Sequence, residues 1–190
     1  MTSIPSLIEG RDVISDAKET ANLLNEYFPS QSTVDDSSAA LPDDSDFYQT
    51  AEILSHITTS EREIRDLFLT LAVSKACGPD GIGNRIIKMS TDGLARAFSL
   101  FSNLSLQHRV FPAQWKAANI IPLLKKDDRQ CKLNYRPVSL LNSLSKVLEK
   151  LAFIRLYNFL LGIGFLNSLQ SGLRPGDSSV NQLLYLVHTT

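Results

Sequence analysis

Apolar positions recur at helical spacing in five stretches of the chain, and between the third and fourth the pattern changes to two short apolar runs. The first helical stretch is Ile14 to Phe28, with Ala17, Ala21, Leu24 and Phe28 in step. Ser60 to Lys75 follows, where Ser60 and Glu63 match a capping box and Ile64, Leu67, Phe68, Leu71 and Ala72 form one stripe. Gly78 in the sequence CGPDG is expected to end that helix, and Pro79-Asp80-Gly81 to set a tight turn. Thr91 to Gln107 predicts a third helix with Leu94, Phe98, Phe101 and Leu104 on its inner face. Ser143 to Leu161 predicts a fourth with Leu144, Val147, Leu148 and Leu151 inward, ended by Gly162 and Gly164. A last helix starts near Ser178 or Ser179, with Val180, Leu183, Leu184 and Val187 on its apolar face.

The two apolar runs, AANIIPLLK (117–125) and YRPVSLL (135–141), read as strands joined by a polar connection. Pro122 leaves one ladder position without a donor, which points to an edge or a bulge. Phe111-Pro112 turns the chain toward Trp115, which reads as a core anchor. Residues 29–50, PSQSTVDDSSAALPDDSDFYQT, are acidic and poor in large apolar groups, a composition that cannot offset its ordering entropy. An acidic disordered linker is therefore expected between a helical connector over 1–28 and a globular part over 51–190.

The chain has 190 residues, of which 43% are hydrophobic, enough for one domain with an appended arm. Its apolar runs are far short of the ~20 residues of a membrane span. The opening MTSIPSLIEGRD has no basic segment followed by an apolar one, so an intracellular protein, nuclear or cytoplasmic, is expected. Two cysteines, Cys77 and Cys131, are too few for a disulfide or metal framework and are expected to be reduced. The net charge of −1 conceals a division: residues 1–74 hold 4 Lys/Arg against 14 Asp/Glu, and residues 75–190 hold 15 against 6. A basic part of net +9 is compatible with a polyanionic partner, although an ordinary charged surface accounts for it as well.

Within the basic part, one charge is oddly placed. Arg136 lies in an apolar strand beside Pro137, while Lys125 and Lys126 stand where the partner strand leaves. Pairing of the two strands would gather three cations at one end of the ribbon, an arrangement that suits an anion such as a phosphate. The plainer alternative is an ion pair from Arg136 to Asp127 or Asp128. His56, His108 and His188 show no metal spacing with the cysteines, and neither a GxxxxGK[ST] loop nor a GxSxG elbow is present.

The segments FPAQWKAANIIPLLKKDD, NYRPVSLLNSLSKVLEKLAFIRL and LQSGLRPGDSSVNQLLYL, preceded by KACGPDGIGNRIIK, resemble the reverse transcriptases of non-LTR retrotransposons of the Jockey type. ANLLNEYF is similar to the connector before such polymerases. The resemblance runs from about Ile53 to Leu186, with four motifs in order. It implies an α+β fold: helix-rich fingers and a partial palm, a two-stranded antiparallel fingers hairpin, and an incomplete palm sheet. It further implies that Lys125 and Arg136 grip the triphosphate of an incoming nucleotide. Lys126, Gln170 and Arg174 would contact the template, Leu173 standing where the family usually has an aromatic.

The implied partners are an RNA template, a DNA primer and a deoxynucleoside triphosphate, with no membrane. The implied cofactor is Mg²⁺ for the complete enzyme, none being bound by this chain. The family's catalytic aspartates lie on palm strands. Here Asp35-Asp36 and Asp43-Asp44 fall in the linker and Asp127-Asp128 in the polar connection, so the chain is expected to stop before those strands and to be inactive alone. The alternatives are a retained RNA- or DNA-binding module and a protein-interaction fragment. Without a palm sheet to pack on, Leu183, Leu184 and Val187 are expected to be exposed.

Overall fold

The computed structural model describes residues 4–33, 52–125, 128–167, 169–172 and 174–189. The described residues form a helix-rich α+β fold with two small antiparallel hairpins. Strands β1 (Leu7–Glu9) and β2 (Asp12–Ile14) lead into α1 (Ala17–Ser30). After the undescribed stretch come α2 (Glu61–Thr70), α3 (Asn84–Met89), α4 (Thr91–His108), β3 (Asn119–Leu124), β4 (Tyr135–Leu140), α5 (Ser143–Gly162) and α6 (Ser179–Thr189).

The main core lies where α2, α3, α4 and α5 meet. Ile64, Phe68, Ile87, Ala95, Phe98, Val147, Leu148 and Leu151 are buried there. Trp115 closes one end, with its ring 5.1 Å from Phe101 and 6.0 Å from Phe111, both edge-on, so its role as a packing anchor holds. Polar contacts fix how the helices meet. Arg155 Nη2 donates to Glu63 Oε2 at 2.7 Å and to Thr58 O at 3.2 Å, tying α5 to the start of α2. Asn103 accepts from Thr59 N at 2.7 Å and donates back to Thr59 O at 3.0 Å, while Ser99 Oγ donates to the same carbonyl.

Several sequence expectations are corrected by these contacts. Ser60 Oγ does cap α2, accepting from Glu63 N at 3.2 Å, but the Glu63 carboxylate serves Arg155. The helix ends at Thr70 rather than Lys75, because Leu71 turns extended at φ −61°, ψ 130°. The next carbonyl, Ala72 O, is taken by Asn84 Nδ2 at 2.9 Å from α3, a helix the apolar spacing did not reveal. On α4 the buried face is Thr91, Ala95, Phe98, Ser99 and Ser102, rotated from the expected stripe; Leu104 is 55% exposed. Ser99 and Asn103 turn inward because they satisfy the backbone at Thr59, whereas the buried Ser102 hydroxyl has no partner among the described residues. On α5, Val147, Leu148 and Leu151 are buried as expected. The apolar face of α6 is open, Leu183, Leu184 and Val187 being 53–70% exposed.

The N-terminal segment also departs from expectation. It is more than a helix, since β1 and β2 precede α1, and Pro29, expected to open the linker, lies in the last turn of α1. Asp16 caps that helix, its Oδ1 accepting from Lys18 N and Glu19 N at 2.9 Å. Most of the expected linker falls outside the described residues. The segment packs on the fold through a second, smaller core of Leu7, Leu24, Phe28 and Tyr135.

Gly78 does not end a helix. It presses on the entry to α5: a Cβ there would lie 2.5 Å from Asn142 N and 2.5 Å from Leu141 C, both backbone atoms. The turn it opens closes with Gly81 N donating to Gly78 O at 3.1 Å, and Asp80 Oδ1 accepts from Ile82 N at 3.0 Å. Gly83, by contrast, has open space around it. Gly78→Ala is expected to lower unfolding stability by about 1–3 kcal/mol, the usual cost of forcing atoms into a packed site. Gly83→Ala, tested in the same urea titration, is expected to stay within about 0.5 kcal/mol of the parent. Equal midpoints for the two variants would contradict the close approach.

Candidate nucleotide-phosphate site

The ribbon of β3 and β4 pairs Asn119 with Leu140, Ile121 with Val138, Pro122 with Pro137, Leu123 with Arg136 and Leu124 with Tyr135. Beyond the last pair, Lys125 N donates to Asn134 O at 2.7 Å, so Lys125 and Asn134 form a hydrogen-bonded pair. Hydrogen-bonded and non-hydrogen-bonded pairs alternate along an antiparallel ladder. Counting back, Leu123/Arg136 is hydrogen-bonded and Pro122/Pro137 is not. The two prolines therefore occupy positions where an N–H would point away from the partner strand, and no ladder bond is lost. They also deny both outer edges a donor, which discourages further strand pairing.

Side chains directly opposite share a face, and the face alternates with each residue. Leu124 and Tyr135 face the N-terminal segment, where Tyr135 is buried beside Leu7, Leu24 and Phe28. The opposite face holds Ile121, Leu123, Val138, Arg136 and Lys125. The three apolar residues are 37–43% exposed, and both cations are solvent-exposed. Lys125 and Arg136 are diagonal neighbours, a spacing of about 7–8 Å between residues two apart on facing strands. Neither forms an ion pair with a described carboxylate; the described ion pairs are Arg65–Asp92, Lys132–Glu9 and Arg155–Glu63. The alternative pairing of Arg136 with Asp128 is not made, and Asp128 Oδ1 instead accepts from Gln130 N at 2.9 Å. Asp127 and Lys126 lie outside the described residues.

Gln170 and Arg174 belong to the loop between α5 and α6. Gln170 Nε2 donates to Gly172 O at 3.2 Å, and Arg174 folds back so that Nη2 donates to Leu166 O at 3.1 Å. Arg174 is half-buried, and its Nε lacks a partner among the described residues. Leu173 lies outside the described residues. Among the described residues, no group of three or more His, Cys, Asp or Glu side chains is placed to hold a metal ion. Cys77 and Cys131 are free thiols. No helix among the described residues is long and apolar enough to cross a membrane.

The strand alternation that puts Arg136 outward was available in the sequence, because Tyr135 is the aromatic that anchors the inner face. The apolar floor of Ile121, Leu123 and Val138 was not singled out, since exposed aliphatic residues in a strand look like core until the register is known.

The ribbon is thus open to solvent, with two cations beside an aliphatic strip and the GPDG turn docked at its base. This chain is similar to RNA-directed DNA polymerases of non-LTR retrotransposons, as its motifs led us to expect. It is 34% identical over 122 residues to the "Probable RNA-directed DNA polymerase from transposon BS" of Drosophila melanogaster, 64% of this chain and 14% of that protein. It is 36% identical over 110 residues to the RNA-directed DNA polymerase from mobile element jockey of the same organism, 57% of this chain and 12% of that protein. It is 32% identical over 103 residues to the retrovirus-related Pol polyprotein from type-1 retrotransposable element R1 of Bradysia coprophila, 53% of this chain and 10% of that protein. The chain thus spans only 10–14% of the length of these relatives. No family model matches it.

In the loop after α5, the Asp177 carboxyl is held below the usual carboxylate range, first by a hydrogen bond from the Ser171 side chain, then by the Ser178 backbone N–H. A carboxylate whose folded pKa is depressed supports the fold above its unfolded pKa, roughly 4, and the support is lost as pH falls below that value. Amide protection at Ser178 is therefore expected to hold above about pH 4 and to fall as the pH drops below it. Asp177→Asn should remove that pH dependence; a variant that keeps it would assign the change to another group.

Proposed function

We propose that this chain is the nucleotide- and template-contacting part, the fingers and the start of the palm, of the RNA-directed DNA polymerase of a mobile element. In this reading residues 51–190 are the polymerase portion and residues 1–28 a connector to it. Lys125 and Arg136 hold the triphosphate of an incoming deoxynucleotide, while Ile121, Leu123 and Val138 give its apolar parts a surface to lie on. Lys126, Gln170 and Arg174 contact the template. The RNA template and DNA primer are the remaining partners.

The observation that carries the reading is the pair of cations on one open face of the ribbon, free of described carboxylates. The two side chains rise from diagonal positions about 7–8 Å apart on one face, and an anion between their heads would offset their mutual repulsion while gaining charge-assisted hydrogen bonds. An arginine fork is suited to two phosphate oxygens at once, and a lysine acts as a point charge on the same group. The backbone before Pro137 is restricted to extended conformations, which keeps Arg136 in the strand and aimed outward.

Polymerases of this kind use Mg²⁺, which activates the attacking hydroxyl and steadies the leaving pyrophosphate. The described residues do not offer the carboxylate cluster that such ions need, so no metal-dependent step is assigned to them. Their contribution is to bind and orient. A second reading, a retained nucleic-acid-binding module, draws on the net charge of +9 over residues 75–190. Contact with a polyanion through phosphates would give a steep fall of affinity with salt.

Titration of the full chain with dGTP is expected to show saturable binding that weakens by about ten- to a hundredfold in Arg136→Ala, the loss of about 1.5–3 kcal/mol typical of a hydrogen bond to a charged group. Lys125→Ala should act in the same direction. Arg136→Ala binding as tightly as the parent would overturn the site. In a primer-extension assay with Mg²⁺ or Mn²⁺, the chain alone is expected to add no nucleotide; robust incorporation would contradict the binding-only role.

A further inference from the structure

We infer that the N-terminal segment, residues 4–30, is a brace for the cation-bearing tip of the ribbon, with Tyr135 as the positioning residue that transmits its hold to Arg136. This rests on the proposed role of Lys125 and Arg136, and it turns what reads in the sequence as a detached connector into a working part of that site.

The contacts between the two are concentrated at the tip. Ile8 N donates to Gln130 O at 2.9 Å, in the connection between β3 and β4. Glu9 pairs with Lys132, and the Lys132 ammonium lies 5.7 Å from the centre of the Tyr27 ring. Tyr135, the first residue of β4, is buried among Leu7, Leu24 and Phe28, with Leu124 packed against the same cluster. Its hydroxyl donates to Arg129 O at 2.7 Å, which closes the tip on itself. Nearer the ribbon base, α1 stands off across a groove of about 590 Å³ lined by Ala21, Asn25, Ile120 and Pro122. The grip is therefore local to the end where Lys125 and Arg136 stand.

That location matters because the ribbon is a lever. It has two strands, its outer face is open, and its base is fixed where Gly78 meets Leu141 and Asn142. Arg136 lies five residues from Leu141, or about 16 Å at ~3.3 Å per residue, so a tilt of about 10° at the base would move it by about 3 Å. A displacement of that size exceeds the range of N–H···O hydrogen-bond lengths, about 2.7–3.2 Å, and so breaks the contact it carries. A two-stranded hairpin is marginal by itself and cannot hold its tip to that tolerance. Burying Tyr135 fixes the inner face, and strand alternation then fixes Arg136 on the outer one. Arg136 cannot rotate inward without expelling Tyr135 from its socket.

The test uses the full chain and two substitutions in the socket. Leu24→Ala empties part of it, and Leu24→Met conserves its volume. Leu24 does not lie on the nucleotide face. Hydrogen exchange at the Lys125 amide, bonded to Asn134 O, reads the tip directly. Leu24→Ala is expected to lower its protection by about tenfold, a local opening, while the Phe68 and Leu148 amides of the main core stay as in the parent. Affinity for dGTP is expected to fall by about tenfold or more in the same variant, and Leu24→Met should restore both readouts. Unchanged Lys125 protection in Leu24→Ala, or an equal loss at Phe68 and Leu148, would overturn the brace. Should the parent fail to bind dGTP, or Arg136→Ala bind it equally well, the proposed function fails, and the Lys125 amide still decides the brace.

Discussion

The burial of Tyr135 is the constraint from which the rest of the site follows. A two-stranded ribbon has two faces, and only one can be covered by a small N-terminal hairpin and helix. Once the tyrosine ring enters the pocket of Leu7, Leu24 and Phe28, the pleat assigns every other residue of β3 and β4 to a side. Arg136 and Lys125 then fall together on the open face, beside an aliphatic strip. The prolines at 122 and 137 fit the same arrangement, since the alternation of pairs gives them the positions that need no donor. A one-residue slip would bury the guanidinium and expose the ring, at a cost no marginal ribbon could sustain.

The base of the ribbon is set by a different kind of contact. Gly78 lets the PDG turn lie against the backbone at Leu141 and Asn142, where β4 passes into α5. Two motifs far apart in sequence thus meet at a single point, and the helical core beneath them fixes the ribbon's direction. The apolar face of α6 and Leu104 of α4 are exposed.

Much of this was legible in the sequence, where local chemistry and the final structure agree. The ribbon strands, the inner face of α5, the Trp115 cluster and the start of α6 all follow from periodicity and turn residues. The errors came where a tertiary contact outweighed a local pattern. Apolar spacing carried α2 on to Lys75, but Leu71 and Ala72 turn aside to meet α3. The stripe on α4 was rotated because Ser99 and Asn103 are drawn inward to satisfy Thr59, a demand that hydrophobic spacing does not encode. The N-terminal segment looked detached because an acidic, apolar-poor stretch follows it. Its attachment depends on Leu7 and Tyr135, residues well over a hundred positions apart. Of the candidate site, Lys125 and Arg136 were legible as a pair from the resemblance and from strand pairing, whereas their shared apolar floor needed the register.

The central claim is that nucleotide binds one face of this ribbon and not the other. Methyl-resolved NMR of the full chain titrated with dGTP reads the two faces separately. The account predicts that the methyl signals of Ile121, Leu123 and Val138 shift in step with saturation while those of Ile120 and Leu124 hold still. Shifts confined to Ile120 and Leu124, or spread over the α6 methyls of Leu183, Leu184 and Val187 with none at Val138, would contradict it.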